Sequence, residues 1–420
     1  MGLIVYSEPT DYALAYNDNA YVVRSTNYTP TFRFKVGVAI AATNEIIASI
    51  TVYPTINVTG FDQRAHFDIK RILQSQVGHD ISLPTSTHDG FLVNSNSHFD
   101  YSLFLIGEDK NVDGIYETVD LRKIVNKSVW NGVKDITDWL DFDPDDYVLT
   151  TGASATKFLT DGPNTREVNS GDSASLYLVG SEDNAPNGYY ITTYDGYNAT
   201  GNQLNNVLVR NTHRAVMTAD KSKRYLRIPV GPQDIPFIDP SVYSGTNPAT
   251  LLNGVKSYGI RLWDNTFPIS ERFTFNIDQE CTKFTPIRLQ WLNRMGGMDP
   301  FNFNLKSTDR TKVNRENFRQ EHHTFRDTTW GYDKMARGRT EYDVQTTKTI
   351  EVNTNYLSDA ESVWMEDMFT SPVLYQEVGG ELLSVNINGR SIEKKKSLNN
   401  KLNQYTFEIE YSHINTRQRG

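Results

Sequence analysis

The chain has 420 residues, 38% hydrophobic and 12% aromatic, a formal net charge of −9 and one cysteine. That length allows two or three domains with their own cores, and 23 Tyr and 20 Phe separate it from chains that cannot bury enough apolar surface to fold. The acidic balance argues against nucleic-acid binding by the whole surface, and Cys281 alone excludes an internal disulfide framework or a multi-cysteine zinc site.

The opening residues Met1 to Ser7 contain neither a basic residue nor a small-residue cleavage site, and the longest apolar run, 36–42, is too short to span a membrane. The expectation is a soluble chain made in a cytoplasm. Phe32, Phe34, Val36, Val38 and Ile40 alternate with smaller or charged residues, which predicts a strand, and 46–53 is its partner beyond a turn at 42–44. A short helix is predicted from Asp68, with Ile69, Ile72, Leu73 and Gln76 at helical spacing.

Asp109-Lys110-Asn111-Val112-Asp113-Gly114 fits the opening of an EF-hand loop, so Asp109, Asn111, Asp113 and Asp120 are calcium candidates. The twelfth position is Asp120 instead of a bidentate Glu, and 101–107 reads as strand, so a polar hairpin turn is the preferred reading. Helices are predicted over 119–127 and 135–140. Asp138, Asp141, Asp143, Asp145 and Asp146 follow, read as a solvated acidic loop that ends a helix before catalytic carboxylates are considered.

From 147 to 270 the sequence is rich in Gly, Asn, Asp, Ser and Thr, with short apolar runs at 175–179, 189–193, 224–230 and 258–263. Such even spacing predicts a sandwich or barrel. Strands are predicted at 272–277, 287–292 and 301–305. The stretch 306–342 then lacks an apolar period. It holds nine Lys or Arg (306, 310, 312, 315, 319, 326, 334, 337, 339) against six Asp or Glu (309, 316, 321, 327, 333, 341). A segment unable to bury its own core is expected to be disordered or ordered by a neighbour. With a surplus of only three positive charges, an intersubunit arm suits it better than phosphate binding, and Arg310, Arg315, Phe318, Arg319, Phe325, Arg326, Trp330, Tyr332, Arg337 and Arg339 are its candidate contacts. His322-His323, without a zincin partner, reads as a surface pair.

At the C-terminal end Ser358 is a predicted helix cap with Glu361 at the third position, Ala360, Val363, Trp364 and Met368 forming one face. Two strands follow, one with Leu383, Val385 and Ile387 inward, the other with Tyr405, Phe407, Ile409 and Tyr411 inward. The expected fold class is mainly β, with several sandwich-like or barrel-like domains, a few short helices and a long polar arm. Its expected divisions are 1–146, 147–270 and 271–420, the arm lying within the last. No GxSxG, Walker, GxGxxG or CxxC pattern occurs, so neither enzymatic activity nor a cofactor is expected.

The segments 67–74, 157–163 (Lys-Phe-Leu-Thr-Asp-Gly-Pro), 289–299 (Leu-Gln-Trp-Leu-Asn-Arg-Met-Gly-Gly-Met-Asp) and 402–411 together resemble virion tail proteins of crAss-like and related bacteriophages of Bacteroidetes. The resemblance implies a mostly β structural protein that forms a homo-oligomeric ring in a phage tail or neck. It also implies that copies of itself, other ring proteins and the portal are its neighbours. It carries no catalytic residues. An acidic protein around a DNA channel would let packaged DNA slide, touching it only non-specifically. The rival from another class is a carbohydrate-binding adhesin using Tyr189, Tyr190, Tyr194 and Tyr197 as a sugar platform. A third reading is a glycan hydrolase using the Asp138–Asp146 cluster.

Overall fold

The structure, a computed structural model, describes all residues except 1, 28, 56–63, 82, 84–86, 140, 150–154, 181–189, 212–223, 265, 279–282, 322, 327, 333–334, 336–337, 390–402 and 417–420. For Thr324, Phe325, Arg326 and Tyr332 it describes the backbone. The chain is mainly β, with 54% of residues in strands and 10% in helices. It divides into two compact units, one of Met1–Glu280 with Leu292–Asp299, the other of Cys281–Trp291 with Pro300–Gly420.

The first unit opens with β1 (Leu3–Ser7), β2 (Tyr12–Leu14), β3 (Ala20–Ser25), β4 (Arg33–Ile40), β5 (Ile46–Val52) and β6 (Arg64–Asp68). Helix α1 (Lys70–Gln74), the two-residue β7 (Leu92–Val93), the long hairpin of β8 (His98–Lys110) and β9 (Tyr116–Trp130), and the one-turn helix α2 (Ile136–Trp139) follow. A three-stranded sheet has the order β1-β3-β6 and a five-stranded one the order β2-β9-β8-β4-β5. Phe34, Val36 and Val38 of β4 are fully buried, as alternation requires. The β4–β5 turn closes on Asn44, whose positive φ of 61° suits the short side chain of Asn and lets its N–H donate to the Ile40 carbonyl at 2.8 Å. At α1, Asp68 accepts the Lys70 N–H at 2.9 Å, and Ile69 and Leu73 are buried.

The predicted helix over 119–127 is instead the middle of β9. Opposite Ser102 of β8 the register slips, so that Leu103 faces Ile124 while Tyr101 faces Lys127, and Asn126 takes a φ of 62°. That bulge shifts the buried parity along β9, so the alternation breaks in the sequence and imitates a longer period. The hairpin's long backbone ladder then overrides local propensity.

The next strands are β10 (Val148–Leu149), β11 (Thr165–Asn169), β12 (Ser175–Gly180), β13 (Tyr190–Tyr197), β14 (Gln203–Asn211), β15 (Tyr225–Pro229), β16 (Tyr243–Gly245), β17 (Ser257–Trp263) and β18 (Phe273–Asp278). They form a four-stranded sheet, β10-β12-β15-β7, and a six-stranded sheet, β11-β18-β17-β13-β14-β16. Leu176, Leu178 and Ile228 of the first share one hydrophobic cluster with Tyr194, Val207 and Ile260 of the second, which makes the pair a sandwich.

The remaining strands β19 (Ile287–Leu292) and β20 (Met298–Phe303), of which Leu292, Met298 and Asp299 belong to the first unit, and β21 (Thr308–Arg319), β22 (His323–Arg326), β23 (Thr329–Tyr332) and β24 (Arg339–Asn353) precede helix α3 (Asp359–Thr370), followed by β25 (Leu374–Val378), β26 (Glu381–Ile387), β27 (Thr406–Tyr411) and β28 (Asn415–Thr416). The main sheet runs β20-β19-β25-β26-β27-β24-β21, with β28 on β24. Helix α3 begins with a full capping box between Ser358 and Glu361. Its buried face is Trp364, Met365 and Met368, whereas Ala360 and Val363, predicted to face inward, are exposed. The reason is Ser362, held inside by a 2.7 Å hydrogen bond between its hydroxyl and that of Tyr405. Val363, about 100° further round the helix, therefore points to solvent. On the sheet, Val385 lies opposite Tyr411, and Ile409 opposite both Ile387 and Ile350, joining the predicted inward residues other than Leu383 in one core.

Candidate assembly surface

The stretch expected to be disordered or ordered by a neighbour is instead a long two-stranded ribbon. β21 pairs antiparallel with β24 from Thr308↔Glu351 to Arg319↔Arg339, and the distal residues form the small hairpin of β22 and β23. The order comes from backbone hydrogen bonds, which need no apolar period in the sequence. Thr308, Thr311, Val313 and Phe318 on β21, and the Thr, Val, Ile and Tyr residues of β24, supply the β propensity that a search for apolar faces passes over.

The ribbon's base and its outer length differ. Near the base β24 is flanked on both sides, by β21 and by β27 over Thr349–Asn353, and Ile350 and Val352 are buried. Further out β24 pairs with β28 at Gln345 and Thr346, and beyond Val344, among the described residues, only with β21. Every residue of β21 is exposed. Charges pair across the strands: Arg310 reaches Glu351 at 2.6 Å, Arg315 reaches Glu341, and the Arg339 Nε donates to Asn317 at 2.8 Å. Because both arginines are 55% exposed and their partners 31% and 41%, each salt bridge contributes between nothing and about 1 kcal/mol. The Tyr342 hydroxyl donates to Glu316, and that bond holds the phenol above its ordinary pKa.

Arg310, Arg315, Phe318 and Arg319 are thus all on β21, and Arg339 opens β24 opposite Arg319. Phe318 is exposed and packs on Tyr342 with the rings tilted by 51° and 6.2 Å between ring centres. Trp330 on β23 is 52% exposed and lies 5.4 Å from the His323 ring. Phe325 and Arg326 lie on β22 and Tyr332 on β23, whereas Arg337 and His322 lie outside the described residues. Exposed residues that sequence reasoning missed are Val313 and Tyr342, and Met335, 89% exposed between β23 and β24. Their signal was the alternating β-branched and aromatic residues flanking the charged stretch.

The other candidates are placed elsewhere. Asp109 to Gly114 is the β8–β9 turn: Asp109 accepts the hydroxyls of Thr29 and Thr31 at 2.6 and 2.7 Å, Asn111 accepts the N–H groups of Asp113 and Ile115, and Asp120 accepts Ser25 at 2.7 Å. The Asp109, Asn111 and Asp120 side chains thus serve different local bonds, and no metal-holding cluster of His, Cys, Asp or Glu occurs among the described residues. Asp143 caps the turn Pro144–Tyr147 by accepting the Asp145 N–H, and Asp146 pairs with Lys157 at 2.7 Å. Burial and the neighbouring Asp143 raise the Asp145 pKa.

Tyr190 and Tyr194, offered as a sugar platform, are buried in the sandwich. Tyr194 donates to the Pro229 carbonyl at 3.2 Å, and Tyr190 stands edge-on to Phe91. Inward alternation on β13 puts them there, so they present no exposed ring to a glycan. Tyr197 lies under Arg272 at 4.8 Å, while Tyr189 and Cys281 are outside the described residues.

Two segments that carry the sequence resemblance meet in the first unit. The Asp299 carboxylate receives the Thr160 hydroxyl at 2.6 Å and the Arg166 guanidinium at 3.0 Å, and Asn293 donates to the Leu159 carbonyl at 3.0 Å. Gly296 has a φ of 85°, and a Cβ there would stand 2.2 Å from the Asn131 carbonyl oxygen, so only glycine fits. These motifs tie loops together by buried hydrogen bonds. No helix among the described residues is long and apolar enough to cross a membrane. A scan against protein-family models matches none of them, and a search of curated proteins yields no match.

Proposed function

We infer that the protein is a structural component of a bacteriophage virion, forming a homo-oligomeric ring in the tail or neck around the DNA channel, assembling on the portal or other ring proteins, and acting without catalysis or a cofactor. The observation that carries this reading is the ribbon. A two-stranded β-ribbon with solvent on both faces is marginal in water, because it lacks a third layer in which to bury side chains. Residues 308–319 are nevertheless extended and exposed, carrying Arg310, Arg315, Phe318 and Arg319, and Trp330 and Tyr342 elsewhere on the ribbon are exposed as well, a composition favoured at protein contacts and of little use to a solitary chain. The resemblance of 157–163 and 289–299 to phage tail proteins supplies the setting. The net charge of −9 suits a channel through which DNA slides.

The test is light scattering of the purified chain at high concentration, with electron micrographs of the same sample and of parent particles carrying labelled protein. Rings, or label in the tail or neck, support the reading. Particles without the protein end it. Assembly in the host cytoplasm followed by incorporation at the tail or neck is the localisation this implies.

A further inference from the structure

The ribbon's outer strand and another sheet edge make a complementary pair. β5 is the outermost strand of its five-stranded sheet, and among the described residues nothing pairs with its free side. Natural edges are blunted by charge, proline, bulges or brevity, because an open row of N–H and C=O groups recruits other strands. β5 has little of this protection. Its seven residues, Ile-Ile-Ala-Ser-Ile-Thr-Val, include no charge, proline or glycine, and its one register slip lies at the Ile46 end. Its inward side chains Ile47, Ile50 and Val52 belong to the core yet remain only half-buried. An edge left open this way lacks one strand.

β21 is the matching donor. It is the outermost strand at one end of its own sheet and runs twelve residues without a proline. The one bulge of the ribbon falls on β24, at Tyr342, which leaves β21 unbroken. Of the outermost strands in the larger sheets, those other than β5 and β21 have six residues or fewer. Alternation puts Thr311 and Val313 on one face of β21, and Arg310 and Lys312 on the other.

We propose that β21 of one copy adds to the free edge of β5 in a second copy of this chain, with Thr311 and Val313 covering Ile50 and Val52, and Lys312 lying beside Ser49 and Thr51 on the outer face. This pairing rests on the ring reading and supplies its contact: each copy gives one edge and receives another, a head-to-tail interface that closes into a ring. The charges of β21 keep it from pairing indiscriminately, while the uncharged β5 accepts it.

Ring formation by the full chain, read from micrographs and light scattering, tests this in three variants. Ser49→Lys/Thr51→Lys puts two positive charges beside Lys312, and the expected result is loss of rings with an unchanged melting curve. Ser49→Glu/Thr51→Glu should still form rings. Adding Lys312→Glu to the double-lysine variant should restore them. Rings undiminished in the double-lysine variant overturn the pairing while leaving the ring reading standing, and loss of rings without rescue by Lys312→Glu shows that β21 is not the occupant. Absence of rings from the unaltered chain and of the protein from particles defeats both.

Discussion

The Arg166 guanidinium lies 3.0 Å from the Asp299 carboxylate, and their side chains are only 5% and 2% exposed. Thr160 satisfies the other carboxylate oxygen, so the pair is buried with its hydrogen bonds met. Removing one partner strands a charge, which costs about 3–5 kcal/mol, whereas replacing both by apolar groups of similar volume is nearly neutral. Asp299→Ala should therefore lower the denaturant midpoint sharply, and Arg166→Met/Asp299→Leu should recover most of the loss. Equal midpoints for Asp299→Ala and the unaltered protein would show that the pair holds nothing together.

His88 makes the fold sensitive to mild acid. Its Nδ1 accepts the Gly90 N–H at 3.2 Å and its Nε2 faces the Asp234 carbonyl at 3.3 Å, an arrangement suited to the neutral ring. Burial holds its pKa below the ordinary value, outweighing the pull of that carbonyl in the other direction. The unfolded chain binds this proton at about pH 6.5 and the folded one only at lower pH, so the unfolded state carries more protons in between. Stability from this group is full above about pH 6.5, falls as the pH drops through that value, and stops falling below the folded pKa. Urea melts across the range should show that step, and it should be missing in His88→Gln. A step that persists in the variant belongs to another group.

Phe407 tests the core of the second unit. Its ring stands 5.3 Å from Phe303 and 5.1 Å from Phe369, both edge-on, at the foot of α3. Phe407→Asp puts an unpaired carboxylate among these rings and should destabilise by about 3 kcal/mol or more. Thermal melting reads this directly. An unshifted transition would mean that β27 can slide by one residue and turn that face outward.

What could be read without coordinates follows from how each element is stabilised. β4, β12, β17 and β27 bury one face or both against a core, so their apolar residues announce them. The Ser358–Glu361 capping box was legible because both partners lie within one turn. β9 was misread because Asn126 shifts its parity, and the sequence records the shift only as an irregular spacing. The ribbon was misread for a different reason. Thr308 and Glu351 meet across more than forty residues of chain through backbone bonds, and no apolar side chain marks that pairing. The Asp299 knot was half legible: its residues sit within the motifs that prompted the resemblance, but their meeting is tertiary.

The ribbon separates folding from assembly. The core of the second unit takes its buried residues from Phe303 and before, then from Ile350 onward, with none between among the described residues. Replacing Arg310 to Arg339 by a short Gly/Ser linker therefore removes β21, β22 and β23 but no buried apolar side chain of that core. β24 keeps its pairing with β27 from Thr349 to Asn353, so the sheet should close as before. Shortening a loop of this size changes closure entropy by less than about 1 kcal/mol. Circular dichroism should stay β-rich and the melting temperature should move by no more than a few degrees. Rings and incorporation into particles should disappear, since the strand and the Arg and aromatic side chains proposed to reach a neighbour are gone. Complementation of a phage lacking the gene reads the second half. Infectious particles built from the shortened protein would make the ribbon dispensable to assembly, and a collapsed melting curve would make it part of the fold itself.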